Sequence, residues 1–216
     1  MDYGTMLGDA LDYVKAALLD NYMRWLILII GTIIFPILAG YGLRIYRGAR
    51  TPPETDDLVG LFVDGIKLFI VQLIWAIPVI IVGVIFMGSS AALLMSGSDA
   101  AAAAGAGGLF VGGLIMFVVA IIIALFSTIA GVRFARTDSF GEAFNFRAIL
   151  EHIGRIGWGP YVIALVILMV VIGVVNAVLG VIPILGWILT IILAPAFSIF
   201  ASRYITQIYD SVTAPN

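Results

Sequence analysis

Five apolar stretches, each about as long as a bilayer is thick, constrain this chain more than anything else in its sequence. A hydrocarbon core about 30 Å thick needs about 20 helical residues to cross it. The stretches run from about Trp25 to Tyr46, Lys67 to Met87, Leu109 to Ala135, Trp158 to Leu179 and Ile184 to Ile205. Of 216 residues, 62% are hydrophobic and 11% charged. A soluble fold of that size has too much outside to hide so much apolar surface. The sequence therefore predicts an all-α, polytopic transmembrane helix bundle of about five spans, with amphipathic interfacial helices beside them. An N-terminal amphipathic segment (1–23), a single transmembrane helical domain (24–209) and a C-terminal tail (210–216) are expected.

The basic residues orient these spans. Arg44, Arg47 and Arg50 follow the first, and Lys67 opens the second. Arg133, Arg136, Arg147 and Arg155 gather around the connection after the third, and Arg203 ends the fifth. The segment between spans two and three has no Lys or Arg, nor does the turn Gly180-Val181-Ile182-Pro183. Positive loops stay inside. The connections around 47–66 and 136–157 and the C-terminus are thus expected in the cytoplasm of a cell membrane. Five spans would put the N-terminus outside, although Lys15 and Arg24 weigh against that. The first twenty residues carry Asp2, Asp9, Asp12 and Asp20 against one lysine, which does not resemble a cleavable signal.

Between the spans, helical spacing of Leu11, Val14, Leu18 and Tyr22 predicts an interfacial helix over 9–22, or else a solvated helical extension. Asp57, Gly60, Asp64 and Lys67 share one face opposite Leu58, Leu61 and Phe62. Glu142, Asn145 and His152 likewise oppose Phe140 and Phe144. Both patterns predict helices lying at the interface. Residues 88–108, rich in Gly, Ala and Ser, read as a mobile loop, with a membrane-embedded helical hairpin as the alternative. The two basic connections also echo each other. Leu38-Ala39-Gly40 precedes Arg44 and Arg47, as Ile129-Ala130-Gly131 precedes Arg133 and Arg136. Pro36 leads Arg44 by the same interval as Pro195 leads Arg203. An internal helical-hairpin repeat and the chance likeness of membrane sequences both account for this.

Chemistry needs particular residues in particular spacing, and little of it is here. There is no cysteine and one histidine, so thiolate metal sites and thiol catalysis are excluded. No metal or other cofactor is expected. A net charge of −2 argues against a nucleic-acid partner. No ionisable residue falls near the middle of a span, where it would mark an ion path. Gln72 and Asn176 are candidates for hydrogen bonds between helices. Gly108 with Gly112, and Gly173 with Ala177, allow close helix approach. Pro36, Pro78 and Pro195 predict kinks, and Trp75, nearer mid-span, is expected to pack between helices. The residues left for interaction are Asp57, Asp64, Lys67, Glu142 and His152. Asp57 is expected to cap a helix, Asp64 to pair with Lys67 one turn on, and His152 to be solvated at the interface.

The run Pro36-Ile37-Leu38-Ala39-Gly40-Tyr41-Gly42-Leu43-Arg44, followed by Pro52-Pro53-Glu54-Thr55-Asp56-Asp57 and Leu61-Phe62-Val63-Asp64-Gly65-Ile66-Lys67, resembles an uncharacterised multi-pass family found chiefly in archaea, the domain-of-unknown-function 4013 family. Pro183-Ile184-Leu185-Gly186 with Pro195 and Arg203-Tyr204 is distantly similar to the membrane region of bacterial glycerophosphodiester phosphodiesterases, where a separate soluble domain does the chemistry. The resemblance implies a polytopic membrane domain and supplies no catalytic residue. The expectation is a non-enzymatic membrane protein that works with lipid, with a membrane-protein partner or as a homo-oligomer. A small permease or lipid-handling transporter is the alternative, and a membrane-embedded enzyme comes third.

Overall fold

Lipid offers a backbone no hydrogen-bond partner, so a chain this apolar satisfies its N–H and C=O groups within helices. The computed structural model describes residues 1–182 and 185–212, and among them there are nine helices and no strand. They are α1 (Tyr3–Leu18), α2 (Tyr22–Ile33), α3 (Ile37–Tyr46), α4 (Leu58–Leu94), α5 (Asp99–Thr137), α6 (Phe140–Ala143), α7 (Phe146–Ile156), α8 (Trp158–Gly180) and α9 (Leu185–Asp210). Four of them, α4, α5, α8 and α9, are long and apolar enough to cross a membrane, and counting the bent pair α1–α2 gives five. The fold is the all-α membrane bundle expected. Pro183, Ile184 and residues 213–216 of the expected tail lie outside the described residues.

The chain divides into two compact units, one of Met1–Val71 with the chain from Thr128 onward, the other of Gln72–Ser127. In unit 1, α9 is the post on which α1, α2, α3 and α8 pack. Helix α1 begins when Asp2 caps it by accepting from Thr5 N at 3.1 Å. It buries Met6, Ala10, Tyr13 and Ala17 on one face, the 3.6-residue stripe of an amphipathic helix. It runs antiparallel to α9. Gln207 donates to Met6 O (3.1 Å), Arg203 to Asp9 (2.7 Å), and, past a 98° bend into α2, Trp25 donates to Ile192 O (2.9 Å). The chain then returns along α9, with Gly42 against Ser202 and Thr206 donating to Ile45 O at 3.5 Å.

That return path corrects two expectations. The stretch Trp25–Tyr46 is not one continuous span. Helix α2 stops at Ile33 and α3 starts at Ile37, because Pro36 has no N–H to give and its ring crowds the preceding turn. The N-terminal residues also do not lie opposite the basic connections. Met1, Asp2 and Thr5 share a groove with Arg50, Arg136 and Asp210, which removes the objection raised by Lys15 and Arg24. Helices α4 and α9, by contrast, continue through Pro78 and Pro195.

The break at Pro36 sets α3 against the first turns of α4 at backbone contact. A methyl group on Gly40 would sit 1.8 Å from Leu61 O, and one on Gly65 2.1 Å from Pro36 O. Only glycine fits either position. The amphipathic segment expected over 57–69 is thus the start of α4 itself. Its counterpart after α5 is a separate helix, α7, with Ile149, Ile153 and Ile156 buried. Gly157, at φ +90°, makes the corner into α8, a left-handed position that a side chain would strain. The two connections are therefore built differently, and what they share is an arginine reaching forward to an acid.

Unit 2 is a helical hairpin made of the later part of α4 and the earlier part of α5. The 88–108 stretch is not a mobile loop. Only Met95–Ser98 leaves the helices, so the stretch is a helical hairpin. Its small residues are a packing stripe. Methyl groups on Gly105, Gly108 and Gly112 would meet Ser90 O at 2.8 Å, Ser90 Oγ at 2.6 Å and Phe86 Cβ at 2.4 Å. Spaced three and four apart, these glycines form a groove in α5 that receives Phe86, Ser90 and Leu94 of α4. Composition reads them as linker because glycine looks flexible wherever its neighbours are unseen. Trp75 is buried and stacks on Phe126 at 6.2 Å, and Gln72 donates to Ser127 O at 3.5 Å, both across the hairpin as expected. Asn176 instead bonds back to Ile172 O of its own helix (2.9 Å).

Candidate functional site

Eleven Lys and Arg residues serve this chain, and none lies between 72 and 127. Three of them, Arg44, Arg47 and Lys67, meet at one end of unit 1, here called the basic end, where the last turn of α3 meets the first of α4. Asp57 caps α4, accepting from Gly60 N at 2.8 Å, as its place before the helix predicts. The antiparallel crossing of α3 and α4 then puts Arg44 between two carboxylates. Its Nη2 donates to Asp57 (3.0 Å) and its Nε to Asp64 (3.3 Å). Arg47 donates to both oxygens of Asp64 at 2.8 Å each, the two-pronged geometry that suits guanidinium to carboxylate.

Asp64 therefore does not pair with Lys67. Two arginines from α3 reach it first, and the Lys67 ammonium turns to Asp138, 3.6 Å away, which Arg47 also approaches at 4.0 Å. Sequence spacing sees only partners one turn apart on the same helix. The arginines come from 17 and 20 residues upstream, across a crossing set by Gly40 and Gly65.

Glu142 and His152 stand apart from this network. Glu142 accepts from Arg133 at a single oxygen, Oε2, with Nε at 2.8 Å and Nη2 closing on the same atom, while Asn145 Nδ2 lies 3.4 Å from Oε1. Arg133, helped by Asn145, holds the Glu142 carboxyl below its usual range. His152 is not solvated. It is 1% exposed, its ring stacks on Tyr209 with centroids 3.9 Å apart, and its Nε2–H donates to Tyr209 O at 3.0 Å. Burial lowers its pKa below that of a free imidazole. Helix α7 turns this face inward with its isoleucines, which places the histidine inside rather than on the solvated side. Thus Asp57, Asp64 and Lys67 belong to one chain of ion pairs, while Glu142 and His152 are engaged elsewhere. Among the described residues no three His, Cys, Asp or Glu side chains converge to hold a metal ion.

Two features escape the sequence. Arg24 is 7% exposed, its guanidinium donating to Ala17 O (3.4 Å) and to Glu54 (3.0 Å). The other is an open groove of about 1020 Å³ lined by Arg50, Arg136, Arg203, Gln207 and Asp210 with the first turn of α1. The arginines were visible as an orientation signal. Their convergence from three elements was not.

A family model described as protein of unknown function (DUF4013) matches residues 25–184. The chain belongs to this family. No curated protein and no solved structure matches it. The DUF4013 match takes in every residue of the Arg44–Asp64–Arg47–Asp138–Lys67 network and the Arg133–Glu142 pair. It ends before α9 begins, so the groove is half inside the matched region, with Arg50 and Arg136, and half outside it, with Arg203 and Gln207.

Proposed function

We propose that this DUF4013 protein is a non-enzymatic membrane protein that holds lipid or a membrane-protein partner at its basic end, which faces the cytoplasm. The observation that carries the reading is α7. Its inner face is spent on the fold, while Phe146, Arg147, Leu150, Glu151 and Arg155 are all exposed on its outer face. Apolar and charged side chains mixed on one exposed face of an interfacial helix suit a headgroup layer or another protein's surface. The carboxylates nearby are occupied by arginines, which favours structure over proton transfer.

Replacing Asp64 and Lys67 would not test this, because both hold the fold together. Phe146→Glu with Leu150→Glu does. The double variant should lose lipid or protein that copurifies with the wild-type chain while keeping its melting temperature. Unchanged copurification, or none with the wild type, would refute the reading.

One observation favours a second reading as a small permease. The break between α2 and α3 opens a hollow of about 280 Å³ lined by Gly31, Thr32, Phe35, Pro36 and Ser198. Interrupted helices beside hollows are where transporters bind substrate. The hollow offers few polar groups, however, and the Thr32 hydroxyl already donates to Leu28 O at 3.0 Å. Solute flux through reconstituted vesicles above that of empty ones would decide for the permease.

A further inference from the structure

We infer that the groove between α1, α9 and the connection after α3 binds a phosphate group presented at the membrane surface, with Arg50 as its free contact. The inference rests on the reading above and gives it a site. Three guanidinium groups reach the groove from three elements: Arg50 from the connection, Arg136 from the end of α5 and Arg203 from α9.

Two of the three are fixed in place. Arg136 donates from Nη2 to both oxygens of Asp210 at 2.7 Å and from Nε to Tyr46 O at 2.8 Å. Its guanidinium lies flat against Gly48, where a methyl group would come within 2.6 Å of Nη1. Arg203 donates from Nε to Asp9 at 2.7 Å and sits over the Tyr13 ring at 4.9 Å. Their carboxylate partners balance those two charges. Asp2 is spent on Thr5, one oxygen taking the backbone N–H and the other the hydroxyl at 2.6 Å. Arg50 is exposed and makes no ion pair among the described residues, so its guanidinium is the one left open to an anion, although the Asp2 carboxylate lines the same groove and keeps its charge.

An anion entering there meets one mobile guanidinium and the remaining N–H groups of two immobile ones. Such an arrangement costs little ordering on binding. Arginine forks match pairs of phosphate oxygens better than single-point acceptors. The groove lies where the apolar helices α5 and α9 end, the depth at which basic pockets meet phospholipid headgroups. Its volume holds a phosphate with its glycerol.

The experiment is titration of the full-length chain in neutral detergent with short-chain phosphatidylglycerol, short-chain phosphatidylcholine and inorganic phosphate. Native mass spectrometry counts what stays bound. Wild type should prefer phosphatidylglycerol. Arg50→Glu should weaken that binding at least tenfold and Arg50→Gln by less, with melting temperatures unchanged. Lys15→Glu makes the same change of charge on an exposed side chain, away from both the groove and the outer face of α7, and should leave binding intact. Inorganic phosphate bound as tightly as the lipid, and lost with Arg50→Glu, would support the site and name free phosphate as its ligand. Equal losses in the Arg50 and Lys15 variants would overturn the groove and leave only diffuse attraction to positive charge. Binding indifferent to both would overturn it as well. The α7 variants judge the broader reading separately.

Discussion

Where α3 crosses α4 in unit 1, Gly40 and Gly65 let two backbones touch, and Arg44, Arg47, Asp57 and Asp64 then bolt the crossing with ion pairs. Where α4 and α5 run side by side in unit 2, glycines again admit close approach, but no charge follows. A stacked Trp75–Phe126 pair and one Gln72 bond take that place. Asp99 is the single ionisable residue from 72 to 127. The contrast follows from the solvent. An ion pair at the membrane surface is hydrated on its outer side and needs only partial desolvation, whereas in hydrocarbon each charge is costly even when paired. Unit 2 therefore relies on shape, and unit 1 on shape reinforced by charge.

Substitutions in both units test that contrast. The largest effect belongs to Gly40→Ala, whose new methyl group meets the Leu61 carbonyl at 1.8 Å. Backbone cannot step aside as a side chain does, so a loss on the order of 4 kcal/mol is expected, read as a collapse of the thermal transition in detergent. Asp64→Ala comes next. It strands Arg44 and Arg47 half-buried, and about 2 kcal/mol of stability should go, after allowing for their access to water. A loss there smaller than that of Gly112→Ala would break the idea that charge reinforces unit 1. In Gly112→Ala the obstacle is Phe86 Cβ at 2.4 Å, which moves only with its own backbone, so the two hairpin helices must part slightly and about 1–2 kcal/mol is expected.

The pH response separates the units further. Burial keeps the His152 ring neutral and its folded pKa below the unfolded value of about 6.5. Its contribution is therefore complete above that value and fades as pH falls through the lower, folded one. Melting temperature should drop as pH falls below about 6.5, and His152→Gln should flatten the drop. Unit 2, which has no histidine, should show no response at a Trp75 fluorescence probe until the whole chain unfolds. The smallest effect is Arg147→Ala, which breaks an exposed pair with Glu151 (3.2 Å) and should change stability by less than about 0.5 kcal/mol.

The parts of this fold legible in sequence were those decided by solvent and period. Helix α8 fills its expected range almost to the residue, because Trp158 and Gly180 bound an unbroken apolar run. A helix in the connection after α5 is legible too, although the stripe of Phe140 and Phe144 marks α6 and its end, and the buried isoleucines that seat α7 lie beyond it. Asp57 was readable as a cap because capping is local. What stayed hidden depended on which helices touch. Asp64 was given to Lys67 since nothing local announces that α3 doubles back against α4. His152 was placed in water because the Tyr209 ring that covers it is 57 residues away. The glycines of 105–112 looked like a linker until Phe86 and Ser90 gave them a surface to fit. The groove's three arginines lay in three separate segments, and each was counted only as a charge on the inner side.

Helices α4 and α5 hold 37 and 39 residues, which at about 1.5 Å each gives rods of about 55 to 60 Å. A hydrocarbon slab takes up about 30 Å of that. Much of each helix is therefore surplus to a single hydrocarbon crossing, and within unit 2 the four residues Met95–Ser98, with Gly97 in a left-handed turn, are all that join one long helix to the next.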